Sequence, residues 1–309
     1  MPDGRLRHPS VSTKAAASAV AATALFVAVG GQAPSRQNAG HEVKRHVLSA
    51  RPGPDNTGVP PGTLLTRFDG DLVITTPGAT FDALDIHGFV RVKAHGVTIT
   101  RSIVRGGTAT TNTGLVTNYD TSATGFLLED SELVPAHPSV WIDGIKGAHF
   151  TLRRVDVHGT TDAVKVQGDD VTVEQSWLHD TVHRSVDPSQ EGGPTHNDAV
   201  QVLGGAHIRI LDSTLEGGSN AAVQVTQTVA ATTDLDISGN WIDGGGCSIN
   251  LSNKGRPSMR GIRVAGNTFG AHQQYAGCAL LATPSTELEQ HGNAWSITRL
   301  PVSPRWMSE

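Results

Sequence analysis

The segments VTITRSIV (97–104), FLLEDSEL (126–133), FTLRRVDV (150–157), VTVEQSWL (171–178), IRILDSTL (208–215), LDISGNWI (235–242) and IRVAGNTF (262–269) repeat one pattern. Each sets two apolar residues at alternate positions, then, two residues later, a polar marker followed by further apolar residues. The markers are Ser102, Ser131, Ser176, Ser213, Asn240 and Asn267, with Val155 the one apolar exception. Counting Val155, successive markers lie 29, 24, 21, 37, 27 and 27 residues apart. Alternation turns every second side chain inward. A recurring interval of 21 to 27 residues fits one coil of a β-solenoid, whose turns bury their apolar sides by stacking. The expected fold is all-β, a single right-handed parallel β-helix. A twisted β-sandwich with strands of similar length leaves the steady interval and the polar turn residue unexplained.

A second strand precedes most of these segments: VWI (140–142), VKV (164–166), VQV (200–202), VQV (223–225) and INL (249–251). Their flanking residues face the core, which leaves Trp141, Lys165, Gln201, Gln224 and Asn250 as an external column with one residue every ~4.8 Å. The same alignment places Cys247 and Cys278 at equivalent points, in CSINL and CALLA. On adjacent coils their Cα atoms lie about 5 Å apart, within disulfide range. Two cysteines are too few for a structural zinc site, and an oxidising compartment favours their joining.

Such a compartment is expected from the first residues. Arg5, Arg7 and Lys14 precede an apolar, small-residue run from Ala15 to Gly30, the layout of an export signal. An uncleaved anchor is the alternative; no later stretch is long enough to span a bilayer. The expected organisation is a signal over 1–33, a lead-in over 34–50, a cap with irregular first coils over 51–90, the β-helix over 91–285, and a C-terminal cap or tail over 286–309. The mature protein is expected outside the cell, as a monomer. Low aromatic content (5%) with 35 glycines suits narrow stacked turns better than a bulky helical core. A net charge of -5 without a basic tract beyond the leader argues against a nucleic-acid partner.

The organisation resembles the pectate-lyase-like superfamily of secreted β-helices. DNTGVPPGTLLT and VKAHGVTITRSIVRGG are similar to stretches of secreted actinobacterial β-helix proteins. The resemblance spans roughly residues 50 to 285 and implies fold more than chemistry, since this scaffold carries lyases, hydrolases, epimerases and adhesins. The R-x-P-x-x-R arrangement of pectate lyases is missing. Of the polygalacturonase set only the isolated Asp169–Asp170 pair is present.

The longest marker interval holds HDTVHRSVDPSQEGGPTHNDAV (179–200), the passage richest in chemically active side chains. An insertion at one edge of a rigid coil walls a groove beside the external column. TTDAVKV and HNDAVQV place Asp162 and Asp198 on neighbouring coils, where paired carboxylates share a proton or recruit a hard cation. Calcium is the expected ion, held by Asp162, Asp198 and Asp187, and no organic cofactor is expected. A plain turn-capping role is the alternative for the aspartates. Lys165 beside them suits a clamp on a uronate carboxylate better than a base. His196 is the first choice of base, with His183 second and Arg184 or Lys165 steadying developing charge. Asp198 is also counted among the catalytic candidates. His158 and His179 align on neighbouring coils. Trp141, His179, Gln201, Gln224 and Asn250 are the expected substrate-binding residues.

These residues lead to the expectation of a polysaccharide lyase acting on a uronate-containing glycan by β-elimination. A glycoside hydrolase using paired carboxylates is the runner-up. A non-catalytic cell-wall or glycan-binding β-helix is the rival from a different class.

Overall fold

Parallel pairing dominates the computed structural model, which describes residues 50–308. Short strands recur in a fixed order and build a 10-stranded first sheet, a 10-stranded second sheet and a 9-stranded third sheet, every strand pair parallel and one coil apart in sequence. The chain is a right-handed parallel β-helix. Paired strands run from Thr66–Asp69 to Arg305–Trp306, and so extend into both segments expected to act as caps. The proposed signal and lead-in lie outside the described residues.

The repeat arises at the corner between the third and first sheets. The residue before each marker takes a left-handed conformation: Arg101, Asp130, Arg154, Gln175 and Asp212 in the earlier coils, then Gly239 and Gly266. For the non-glycine residues this costs about 1 kcal/mol each. The marker offsets that cost by joining successive coils. The Ser102 amide donates to Ser131 Oγ at 3.0 Å and the Ser176 amide to Ser213 Oγ at 3.1 Å. The Ser213 amide donates to Asn240 Oδ1, and the Asn240 amide to Asn267 Oδ1, both at 2.9 Å. Asn293 adds one more rung, accepting from the Asn267 amide at 3.0 Å. Val155 accepts nothing, yet its amide still donates to Ser176 Oγ at 3.1 Å. The marker is therefore a buried, uncharged hydrogen-bond ladder.

Inside, Ile145, Val164, Val200, Val223, Ile249 and Leu280 form one fully buried column of the second sheet. Each such side chain contributes roughly 1.5–3 kcal/mol by leaving water. Cys247 and Cys278 are disulfide-bonded with Cα atoms 4.7 Å apart, joining two late coils as their alignment implies.

The corner between the first and second sheets is where the coils differ. It is a two-residue turn in the first coils, then widens to residues 105–112, 134–141, 158–163 and 179–197 before narrowing to 216–220. These insertions stand beside the entry to the second sheet. The proline-rich N-terminal segment crosses the outside of the first sheet instead. There the Gly58 amide donates to Arg154 O at 2.9 Å, and the Arg51 guanidinium lies 4.0 Å from the Trp241 ring centroid.

Candidate functional site

Where the widened corner enters the second sheet, strand register stacks Asp143, Asp162 and Asp198 on consecutive coils. All three are buried. Each uses one oxygen as a coil-to-coil cap. Asp143 Oδ1 accepts from the Asp162 amide at 3.1 Å, Asp162 Oδ1 from the Asp198 amide at 2.9 Å, and Asp198 Oδ1 from the Ala221 amide at 2.9 Å. Extended onward in the same register, the column reaches Cys247 and Cys278, where the disulfide takes over the joining.

The second oxygens of Asp143 and Asp162 meet cations. Lys165 Nζ lies 2.6 Å from Asp162 Oδ2 and 3.1 Å from Asp143 Oδ2, while Lys146 Nζ lies 3.0 Å from Asp143 Oδ2 and bonds to Asn112. Burial, then the neighbouring Asp143 charge, push the Asp162 carboxyl up to about 6 against the pull of Lys165. Burial and the Asp162 charge push Asp198 well above the usual carboxylate range. Burial works against the Lys165 charge, but the Asp162 and Asp143 carboxylates outweigh it and hold the ammonium well above its ordinary value. Lys165 is thus a permanent cation, 14% exposed, fixed from behind. Its ammonium is held by two carboxylates and stays charged.

Register also corrects the external column. Lys165 pairs with Gln201, Gln201 with Gln224, and Gln224 with Asn250, but the residue opposite Lys165 on the preceding coil is Lys146, not Trp141. The strand there is Ile142–Gly147, IDGIKG. Glycines stand at two of its positions because a Cβ at Gly144 would lie 2.3 Å from Ala163 O, and one at Gly147 2.0 Å from Asn118 O. They erase the apolar alternation and make VWI look like the strand. Trp141 instead belongs to the preceding turn, its carbonyl accepting from the Thr113 amide at 2.8 Å. The amides of the column are linked: Asn250 Nδ2 donates to Gln224 Oε1 at 3.0 Å, and Gln201 Nε2 lies 3.4 Å from Asp198 Oδ2.

The 179–197 loop is pinned at both ends. The Val182 amide donates to Thr160 O at 2.7 Å and the Thr195 amide to Arg184 O at 2.9 Å. Its chemistry centres on His183. Ser219 Oγ donates to Asn197 Oδ1 and lies 3.0 Å from His183 Nδ1; Asn197 Nδ2 donates to Thr181 Oγ1 at 2.7 Å, which donates to Gly217 O at 2.9 Å. With the Ser219 proton committed to Asn197, His183 Nδ1 is the donor to Ser219 and Nε2 keeps its lone pair. His183 is exposed and held in a base-competent tautomer. His196, the expected first choice, is exposed with no side-chain partner among the described residues, as is the Arg184 guanidinium. His183 is thus anchored where His196 is not, by a Ser219 that lies 36 residues away in sequence.

His179 is placed away from the groove. Its Nε2 lies 3.0 Å from Asp156 and its Nδ1 2.8 Å from Asp180, and its ring stacks on Trp177 at 3.5 Å and on His158 at 5.0 Å between centroids, all on the outside of the first sheet. His158 is raised above its usual value chiefly by its bond to Glu132. This cluster ties coils together and does not line the column, so His179 is not a substrate-binding residue of the groove.

The calcium expectation meets the same test of geometry. Among the described residues no three His, Cys, Asp or Glu side chains are grouped to hold a metal ion. Asp187 is buried and caps a short helical turn, Oδ1 accepting from the Ser189 amide at 2.8 Å. Lys165 Nζ sits between Asp143 and Asp162, where a cation bridging adjacent carboxylates would have to sit. The donor set does not fit calcium.

Three residues escaped the sequence reading: Asp143, Lys146 and Tyr119. Tyr119 directly follows the strand Thr113–Asn118, which pairs with the Lys146 strand, and is 55% exposed. The one available signal was the D-x-[IV]-K spacing, shared in looser form by DGIK (143–146) and DAVK (162–165). No protein-family model matches this chain, and no curated protein or solved structure does either.

Proposed function

We propose that this protein is a secreted, carbohydrate-active lyase that cleaves a uronate-containing polysaccharide in the groove over the second sheet. The observation that carries the reading is Lys165: a permanent cation at the groove, immobilised by two buried carboxylates whose capping duty needs no charge. In the proposed step Lys165 binds the uronate carboxylate and draws charge from the adjacent carbon, which acidifies its proton. His183 Nε2 takes that proton, the freed electron pair forms the C4–C5 double bond, and the C4–O glycosidic bond breaks. The departing oxygen is protonated from solvent or from His196, and Arg184 steadies the charge between the two events. Asp198 acts through Gln201, as a positioning residue. The β-helix fold and the resemblance to pectate-lyase-like proteins support the class, with Lys165 in the role there filled by calcium.

Hydrolysis is the second reading, favoured by two adjacent carboxyls, Asp162 and Asp198, that burial holds above the usual range, a property of catalytic acids. Both carboxyls are no more than 1% exposed, whereas Lys165, His183, Arg184 and His196 reach solvent, which favours elimination.

The test is turnover of a panel of acidic and neutral polysaccharides, following ultraviolet absorbance of unsaturated uronate and new reducing ends. The lyase reading predicts rising absorbance that persists in chelator and disappears in His183→Ala. Reducing ends without absorbance identify a hydrolase. Neither signal, with binding retained, identifies a glycan-binding module.

A further inference from the structure

The outward column of the second sheet is not uniform along the solenoid. In register it runs Arg91, Thr117, Lys146, Lys165, Gln201, Gln224, Asn250 and Leu281, so that cations on two successive coils are followed by amides on three. Resting on the reading of this groove as a glycan site, we infer that its substrate is a mixed polysaccharide, in which an isolated uronate is flanked by neutral hydroxyl- or acetamido-bearing sugars, and not a polymer of uronates alone.

Coils repeat every ~4.8 Å, close to the advance of an extended sugar chain per residue, so a chain laid along the axis presents about one sugar to each coil. Lys146 is 4% exposed and engaged by Asp143 and Asn112, and Arg91, three coils from Lys165, is engaged by Thr113, Gly114 and Thr117, which leaves Lys165 as the accessible cation next to the amides. A polyuronate bound there sets further carboxylates over Gln201, Gln224 and Asn250, with no cation on those three coils of the column to replace lost water. An anion desolvated without a partner is strongly disfavoured, whereas amides both donate to and accept from hydroxyl and acetamido groups. Asn250 Nδ2 donates to Gln224 Oε1 at 3.0 Å, so the amides of neighbouring coils are already oriented by one another.

Fluorescence anisotropy with two end-labelled probes tests this: hexagalacturonate, charged on every sugar, and a hexasaccharide of alternating glucuronate and N-acetylglucosamine. The full chain is expected to bind the alternating probe at least about tenfold more tightly, a difference of about 1.4 kcal/mol. Gln201→Lys, which extends the cationic stretch by one coil, is expected to narrow or reverse that preference. Circular dichroism of the variant confirms that the fold is kept. Equal or tighter binding of hexagalacturonate by the unaltered protein overturns the inference and leaves the lyase reading standing. A preference untouched by Gln201→Lys also overturns it, and failure to bind either probe removes both readings together.

Discussion

Two polar ladders run along the same solenoid and perform the same backbone task with different chemistry. At the corner between the third and first sheets, Ser176, Ser213, Asn240, Asn267 and Asn293 accept amide bonds from coil to coil without charge. At the corner between the first and second sheets, Asp143, Asp162 and Asp198 accept equivalent bonds, but bring carboxylates that burial penalises. An amide oxygen suffices for the cap, as Asn240 and Asn267 demonstrate in this very chain. The charge of the aspartates is therefore unnecessary for joining coils. Its consequence is to fix Lys165 on the outer face of the second sheet, which on the proposed reading gives the charged ladder a functional role and leaves the neutral one a structural device.

Exchanging the two chemistries gives the largest expected effect. Asn267→Asp places a carboxylate against Ile237 O, to which Asn267 Nδ2 now donates at 2.8 Å, with no cation nearby in the ladder. It is expected to cost about 3 kcal/mol or more in urea unfolding. A smaller loss would mean that the interior tolerates charge at either corner, and the contrast would dissolve. Lys165→Met comes next. It strands the Asp162 carboxylate, and a loss of about 2–3 kcal/mol near pH 8 is expected, shrinking below pH 6 where that carboxyl is free to take a proton.

The smallest effect is in pH dependence. Asp162 titrates in the folded chain at about 6, above its unfolded value near 3.8, so the folded state holds the extra proton and stability falls as pH rises between those values. Asp198, also raised, adds to the fall, and so does His158 as pH climbs through its folded value. Thermal melts from pH 4 to 8 should show this decline. Asp198→Asn removes one raised carboxyl and should flatten the decline.

Much of this was legible in the sequence. Alternation with a fixed marker revealed the coil, because every coil must satisfy the same corner. Aligning coils by their inward residues paired Cys247 with Cys278 and Asp162 with Asp198, since register transfers position directly between coils. Coil four hid its contribution. Gly144 and Gly147, required by close backbone approach, removed the alternation that would have aligned Asp143 and Lys146 with their partners. His183 was ranked below His196 because its tautomer depends on Ser219 and Asn197, a contact made only after the loop folds back across the next coil. Side-chain commitment was the other illegible quantity: nothing in the spacing of Asp187 shows that Ser189 occupies its carboxylate.

The double variant Asp162→Asn with Lys165→Met tests the central claim most directly, because it converts one charged rung into the neutral kind while Asp143 keeps Lys146. Urea unfolding and turnover of a uronate-containing polysaccharide are measured on the same preparation. The account predicts an unfolding midpoint equal to or above that of the unaltered chain, with turnover reduced at least about a hundredfold. Full turnover on the neutral rung, or a loss of stability matching that of Asn267→Asp, would contradict it.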